Sequence, residues 1–171
     1  HDSGSDRIAE FAKDMQVDII VNVQGDEPLI DKNSLQKLVN TFKDDNDNEI
    51  DLVSLMKVIS SSNEIQNPNN VKVVTDKNNF ALYFSRTPVP FSTVPNFKVK
   101  YFKHIGVYGF RKKSLVDFYN SKPTKLELIE KLEQLRYLEN GKKIKMVITD
   151  FDGIGIDTME DLINARKLIN D

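Results

Sequence analysis

The sequence predicts an α/β protein built on a layered sheet, and three observations carry that reading. Short β-branched and aromatic runs alternate with segments of helical periodicity along the chain. The first such run, residues 18–23, is almost continuously apolar, as suits a strand buried on both faces. The chain has 171 residues, 39% of them hydrophobic, with no repeat, low-complexity linker or composition break, so residues 1–171 read as a single domain.

The elements follow in order. Ser3-Gly-Ser-Asp-Arg7 offers N-cap residues, and Ile8, Phe11 and Met15 recur at helical spacing, which predicts a short opening helix. The strand at 18–23 runs into the turn Gln24-Gly-Asp-Glu-Pro28, and a helix fits 34–42 with Asp31, Asn33 and Ser34 as cap candidates. Residues 44–49, acidic and Asn-rich, read as a solvated loop. Strand composition then covers 52–59, 71–75 and 80–84, with Asp76-Lys-Asn-Asn79 as a hairpin turn, and returns at 101–110 before a short helix at 114–119. Thr124-Lys-Leu-Glu127 has a capping-box pattern. Leu128, Leu132, Leu135 and Leu138 continue it as one helix that Gly141 closes. A strand at 145–149, a glycine-containing loop at 151–156 and a helix at 157–169 complete the pattern.

Composition excludes several function classes. Lys and Arg number 24 and Asp and Glu 26, so 24 − 26 gives −2, without the basic footprint of a nucleic-acid partner. No apolar run approaches the roughly eighteen residues of a membrane span, so no membrane partner is expected. The absence of cysteine removes disulfides, thiolate zinc sites and cysteine nucleophiles, and is consistent with a cytoplasmic location. The chain opens on His1 rather than Met and reads as a fragment.

In a layered α/β sheet, ligands collect beyond the carboxyl ends of the strands. Asp26 and Asp157 both follow predicted strands and are hard-cation ligands of the type magnesium favours. Each also has an ordinary reading, Asp26 as turn chemistry and Asp157 as an N-cap with Glu160. Strand alternation puts His104, Gly106 and Tyr108 on one face, and the glycine leaves room for a ligand. At about 3.3 Å per residue, His104 and Tyr108 lie roughly 13 Å apart, at opposite ends of an extended substrate, or else are a partly buried pair with satisfied hydrogen bonds. Glu133 and Gln134 fall mid-helix and read first as solvated surface. Arg86 either clamps a carboxylate or forms a rim salt bridge.

Seven motifs in order give a resemblance across nearly the whole chain. They are His1-Asp-Ser-Gly-Ser-Asp-Arg7, Val21-Asn-Val-Gln-Gly-Asp-Glu-Pro28, Asn67-Pro-Asn-Asn-Val-Lys-Val-Val74, Ala81-Leu-Tyr-Phe-Ser-Arg86, His104-Ile-Gly-Val-Tyr-Gly109, Leu132-Glu-Gln-Leu-Arg136 and Gly155-Ile-Asp-Thr158. The sequence resembles the 3-deoxy-manno-octulosonate (Kdo) cytidylyltransferases, or CMP-Kdo synthetases. That resemblance implies a Rossmann-like nucleotide-diphospho-sugar transferase fold with a layered mixed sheet. It implies transfer of CMP from CTP to Kdo with Mg2+, for lipopolysaccharide biosynthesis, by a cytoplasmic homodimer. It makes Asp26 and Asp157 the catalytic magnesium ligands and places Gln24 beside the substrates. Arg86, His104, Tyr108, Glu133 and Gln134 become Kdo contacts, and Ser3 and Gly4 border the cytosine.

The chain departs from the family pattern in two ways. It starts about one third of the way in, without the first strand and the basic nucleotide loop, which implies that these residues alone are inactive. Phe91-Ser-Thr93 also lacks a basic residue found in related sequences. The alternatives are a cytidylyltransferase for another acidic sugar, of sialic-acid type, or a non-catalytic binding or dimerisation module.

Overall fold

One long strand organises the sheet in this computed structural model, which describes residues 4–25, 30–94 and 97–151 together with Met159, Ile163 and Arg166. The element order is α1 (Gly4–Ala12), β1 (Ile19–Asn22), α2 (Lys32–Lys43), β2 (Leu52–Ile59), α3 (Ser62–Gln66) and β3 (Lys72–Thr75). It continues through β4 (Ala81–Ser85), β5 (Tyr101–Arg111), α4 (Lys112–Asn120), α5 (Lys125–Glu130), α6 (Gln134–Glu139) and β6 (Ile144–Ile148).

The strands lie in the order β4-β3-β5-β2-β6, and β1 also pairs with β5. β2 follows β5 antiparallel along one edge and carries β6 parallel on its other side. The opposite edge of β5 is shared: β1 pairs with residues 108–111, and β3 joins at Lys103. These pairings make β1, β2, β3 and β6 run in one direction, so their carboxyl ends face one edge of the sheet.

Two apolar layers hold the sheet. On one face Leu38 and Phe42 of α2 pack on Val53, Leu55, Ile105 and Val107. On the other, Leu52, Met56, Phe84 and Phe110 meet α4 and α6 through Leu115, Phe118, Leu135 and Tyr137, with Ala9 and Ala12 of α1 alongside. α2 sits so close to β5 that a Cβ on Gly109 would lie 2.3 Å from Leu38 Cδ2 and 2.9 Å from Phe42 Cε2. The Asp31 carboxylate caps α2 by accepting the Asn33 and Ser34 N–H groups at 2.8 and 3.0 Å.

Several sequence expectations are corrected. β1 pairs only with β5 among the described strands, and Val21 is 38% exposed, so its apolar run forms a half-buried strand rather than one covered on both faces. α1 buries Ala9 and Ala12 and leaves Phe11 exposed, and Met15, beyond its end, is exposed as well. Within the supposedly solvated acidic loop, Asp45 accepts the Glu49 and Ile50 N–H groups and pairs with Arg111 at 2.6 Å, closing the loop on β5. Burial pushes the Asp45 carboxyl up, but the Ile50 N–H, Arg111 and the Glu49 N–H together hold it below its ordinary value. The helix expected from Thr124 to Gly141 is two helices, α5 and α6, with Lys131 in the left-handed conformation at φ 57° between them. Leu128 is therefore exposed, while Leu132 and Leu135 are buried. The helix expected at 157–169 lies outside the described residues except for Met159, Ile163 and Arg166.

Candidate functional site

The site is built where β5 departs from regular pairing. Leu55 faces Ile105 but Ser54 faces Tyr108, so Gly106 and Val107 form a two-residue bulge opposite a single step of β2. Two extra residues preserve the alternation, and His104, Gly106 and Tyr108 do share a face. They also shorten the path: His104 and Tyr108 stand opposite Met56 and Ser54, two residues apart on β2. Their rings lie 5.4 Å centroid to centroid, neighbours rather than opposite ends of a substrate, which corrects the separation read from ideal strand geometry. A Cβ built on Gly106 meets nothing within 4 Å, so there is open space beside them.

His104 is buried, with the Phe84 ring edge-on at 5.0 Å. Its Nε2 lies 2.9 Å from Ser54 Oγ, and its Nδ1 lies 3.5 Å from Gln134 Nε2. Burial, helped by the Lys103 charge, pushes the imidazole down to about 3, so it is neutral at physiological pH. In that state His104 is a hydrogen-bonding group and not a cation for a carboxylate or phosphate.

Gln134 reaches His104 because the helix is broken. Glu133 holds the N-cap position of α6 without a side-chain capping bond, and Gln134, placed by the sequence on a solvated helix face, is buried against β5. Arg86 sustains the break: its Nε donates to Glu130 O at 2.7 Å and its Nη2 to Lys131 O at 3.4 Å. Its Nη1 donates to Pro68 O at 3.1 Å. These carbonyls are thus satisfied without helical partners. The Glu130 carboxylate returns the contact, accepting the Arg86 backbone N–H and the Ser85 hydroxyl at 3.0 Å each. In this structure the Arg86 guanidinium bonds three backbone carbonyls. Lys72 is fully buried beside it and donates to Asn67 O at 2.9 Å, and burial followed by the Arg86 charge lowers its pKa.

The remaining candidates are placed as follows. Tyr108, Glu133 and Gln134 line a cavity of about 10 Å³, room for one water at most. Gln24 is exposed two residues beyond β1, and Gly4 opens α1. Ser3, Asp26 and Asp157 lie outside the described residues. A larger cavity, about 520 Å³, lies between the start of α2 and the end of β6, lined in part by Asp31, Ser34, Lys37, Thr149 and Phe151. Ser34 Oγ and Thr149 Oγ1 join the two elements at 2.6 Å. Among the described residues no group of three or more His, Asp or Glu side chains could hold a metal ion.

Comparison with known proteins settles the family. The family profile described as Cytidylyltransferase matches residues 1–144. The chain is 57% identical to the 3-deoxy-manno-octulosonate cytidylyltransferase of Christiangramia forsetii over 170 residues, which cover 99% of this chain and 68% of that protein. It is 56% identical to the enzyme of the same name from Flavobacterium johnsoniae, over 100% of this chain and 70% of that one. The chain belongs to the 3-deoxy-manno-octulosonate cytidylyltransferase family. A solved structure of CMP:2-keto-3-deoxy-manno-octonic acid synthetase complexed with CTP superposes with a TM-score of 0.92 at 34% identity, over 99% of this chain and 69% of that one. The fold is accordingly that of the nucleotide-diphospho-sugar transferases, and no helix among the described residues is long and apolar enough to cross a membrane.

Three of the motifs by which the chain resembles this cytidylyltransferase family fall where regular structure is interrupted. His104-Ile-Gly-Val-Tyr-Gly109 is the bulge of β5, Leu132-Glu-Gln-Leu-Arg136 is the helix break, and Ala81-Leu-Tyr-Phe-Ser-Arg86 ends on the arginine that holds the break. Two participants escaped sequence reasoning. Glu130 gave no signal beyond a charge on a helix. Ser54 did leave one, as the single hydroxyl in the apolar run Leu52-Val-Ser-Leu-Met56, a position where an unpartnered polar group is costly.

Proposed function

We propose that this chain carries the sugar-binding side of an enzyme that transfers CMP from CTP to 3-deoxy-manno-octulosonate, giving CMP-Kdo and pyrophosphate. The observation that supports it most is the contact of His104 with Tyr108 and Gln134 on the strand face where Gly106 leaves open space, within a chain of this family. An acid sugar offers hydroxyls to His104, Tyr108, Glu133 and Gln134. Its carboxylate is assigned to Arg86, whose five N–H donors exceed the three spent on carbonyls. Gln24 stands beside the substrates, and Ser3 and Gly4 border the cytosine.

In the reaction the anomeric hydroxyl oxygen attacks the α-phosphorus in line with the departing pyrophosphate. The hydroxyl gives its proton to solvent water, one P–O bond forms as another breaks, and no covalent enzyme intermediate intervenes. Asp26 and Asp157 would hold magnesium: both are oxygen donors, and they follow β1 and β6, whose carboxyl ends face the same edge of the sheet. When bound, the ion offsets charge on the phosphates. The protein groups hold the sugar and fix which of its oxygens meets phosphorus. A cytoplasmic homodimer serving lipopolysaccharide assembly is part of the same proposal, and the exposed Leu82, Phe91, Phe97 and Ile129 supply apolar surface for pairing.

The test is pyrophosphate release from CTP, magnesium and Kdo by the protein expressed from its complete reading frame. Asp26→Asn should lower kcat by about 10²-fold or more with the melting temperature kept. Turnover of N-acetylneuraminate in preference to Kdo would shift the reading to the sialic-acid class, and full activity of Asp26→Asn would remove the metal assignment.

A further inference from the structure

Ser54 lies in the middle of β2 with its side chain fully buried. Its Oγ sits within hydrogen-bond range of three groups: His104 Nε2 at 2.9 Å, Val107 O at 2.9 Å and Ile105 O at 3.2 Å. A hydroxyl has one proton and two lone pairs, and the two carbonyls can only accept. If the proton pointed at the imidazole, the hydroxyl lone pairs would face two carbonyl oxygens with no hydrogen between them. The proton therefore goes to the carbonyl side, where the bulge places both oxygens, and Oγ accepts from Nε2–H.

A neutral imidazole carries one N–H, so a proton on Nε2 leaves a lone pair on Nδ1. That lone pair faces the Gln134 amide at 3.5 Å, the outer limit of a hydrogen bond. We infer that Ser54 is a positioning residue that holds His104 as the Nε2–H tautomer and so leaves an acceptor at Nδ1, which a hydroxyl of the sugar takes in place of the long Gln134 contact. This rests on the assignment of His104 to the sugar wall.

The consequence is specificity. An acceptor at Nδ1 takes a hydroxyl and repels a carboxylate or phosphate oxygen, so the hydroxylated part of the sugar lies here and its carboxylate lies elsewhere. In the other tautomer the Nδ1–H would donate to a carboxylate or phosphate oxygen as readily as to a hydroxyl oxygen. Ser54 thus acts on the orientation of the substrate through the ring, without touching the substrate.

The chain contains two histidines, His1 and His104, so long-range nitrogen–proton correlation of the 15N-labelled protein reads the tautomer directly. The expected spectrum at neutral pH is that of a neutral Nε2–H ring for His104; an Nδ1–H ring overturns the inference without any variant being made. In the protein from the complete reading frame, Ser54→Ala should raise KM for the acid sugar about tenfold, leave KM for CTP unchanged and mix the His104 tautomers. Ser54→Thr, which keeps the hydroxyl, should restore both the sugar KM and the single tautomer. An unchanged sugar KM in Ser54→Ala overturns the inference, as does a Ser54→Thr protein that folds but behaves like the alanine variant. Failure of the wild-type enzyme to use Kdo would sink the proposed function instead, while the spectrum still decides the tautomer.

Discussion

On one face of β5, Ile105, Val107 and Gly109 meet the apolar side chains of α2, and a missing Cβ lets that helix approach. On the other face, His104, Gly106 and Tyr108 meet a hydroxyl, an amide and open space. Two glycines three residues apart therefore serve opposite ends. Gly109 is occupied by its neighbours, so its lack of a side chain is a packing requirement. Gly106 borders empty volume, so nothing in the fold demands it. The difference separates what stabilises this molecule from what is left over for a ligand.

The packing side should give the largest effects. Leu38→Ala should cost about 2–5 kcal/mol by opening a cavity, and Gly109→Ala about 1–3 kcal/mol by overpacking. Combined, the two should cost less than their sum, since the new methyl fills space that Leu38 vacates; denaturant unfolding measures all three. Strict additivity would show that the close approach at Gly109 is not what limits this face.

Acid should act mainly on the polar face. The folded-state value of His104 lies below that of the unfolded chain, so the folded protein resists a proton that the unfolded chain takes up. Its neutral burial costs nothing above the unfolded value near 6.5, and stability is lost as pH falls from there toward about 3. The slope contributed by one such proton is at most about 1.4 kcal/mol per pH unit. Asp45 has a separate window: its contribution is present above the unfolded value of 3.8 and is lost as pH falls through its lower folded value. His104→Gln should flatten the loss between 6.5 and 3 while leaving the Asp45 step in place, as read from unfolding midpoints across pH. An unchanged profile in that variant would place the titrating group elsewhere.

The smallest effect on stability falls at Gly106. Gly106→Ala should leave stability unchanged or raise it by up to about 1 kcal/mol, because the added methyl meets no atom and the unfolded chain loses freedom. If the sugar occupies that space, its KM rises while KM for CTP does not. A stable variant with an unaltered sugar KM would move the substrate away from this part of β5.

Sequence patterns located the regular elements because their causes are local. β-branched runs marked β2 and β5, Asp31 announced the start of α2 through its cap, and Asp76 closed the β3–β4 hairpin by accepting the Asn78 and Phe80 N–H groups. Alternation alone also put His104, Gly106 and Tyr108 on one face. What the sequence could not decide was where regularity stops. The leucine spacing from Leu128 to Leu138 is that of one helix, and it becomes two because Arg86, more than forty residues earlier, supplies N–H donors to the carbonyls at 130 and 131. The bulge that draws His104 and Tyr108 together is defined only by pairing with β2, and the His104 tautomer only by a serine fifty residues away on that strand. Periodicity reports the average environment of a segment; the partners of a single carbonyl or ring nitrogen are set by whichever strand or helix the fold brings against it.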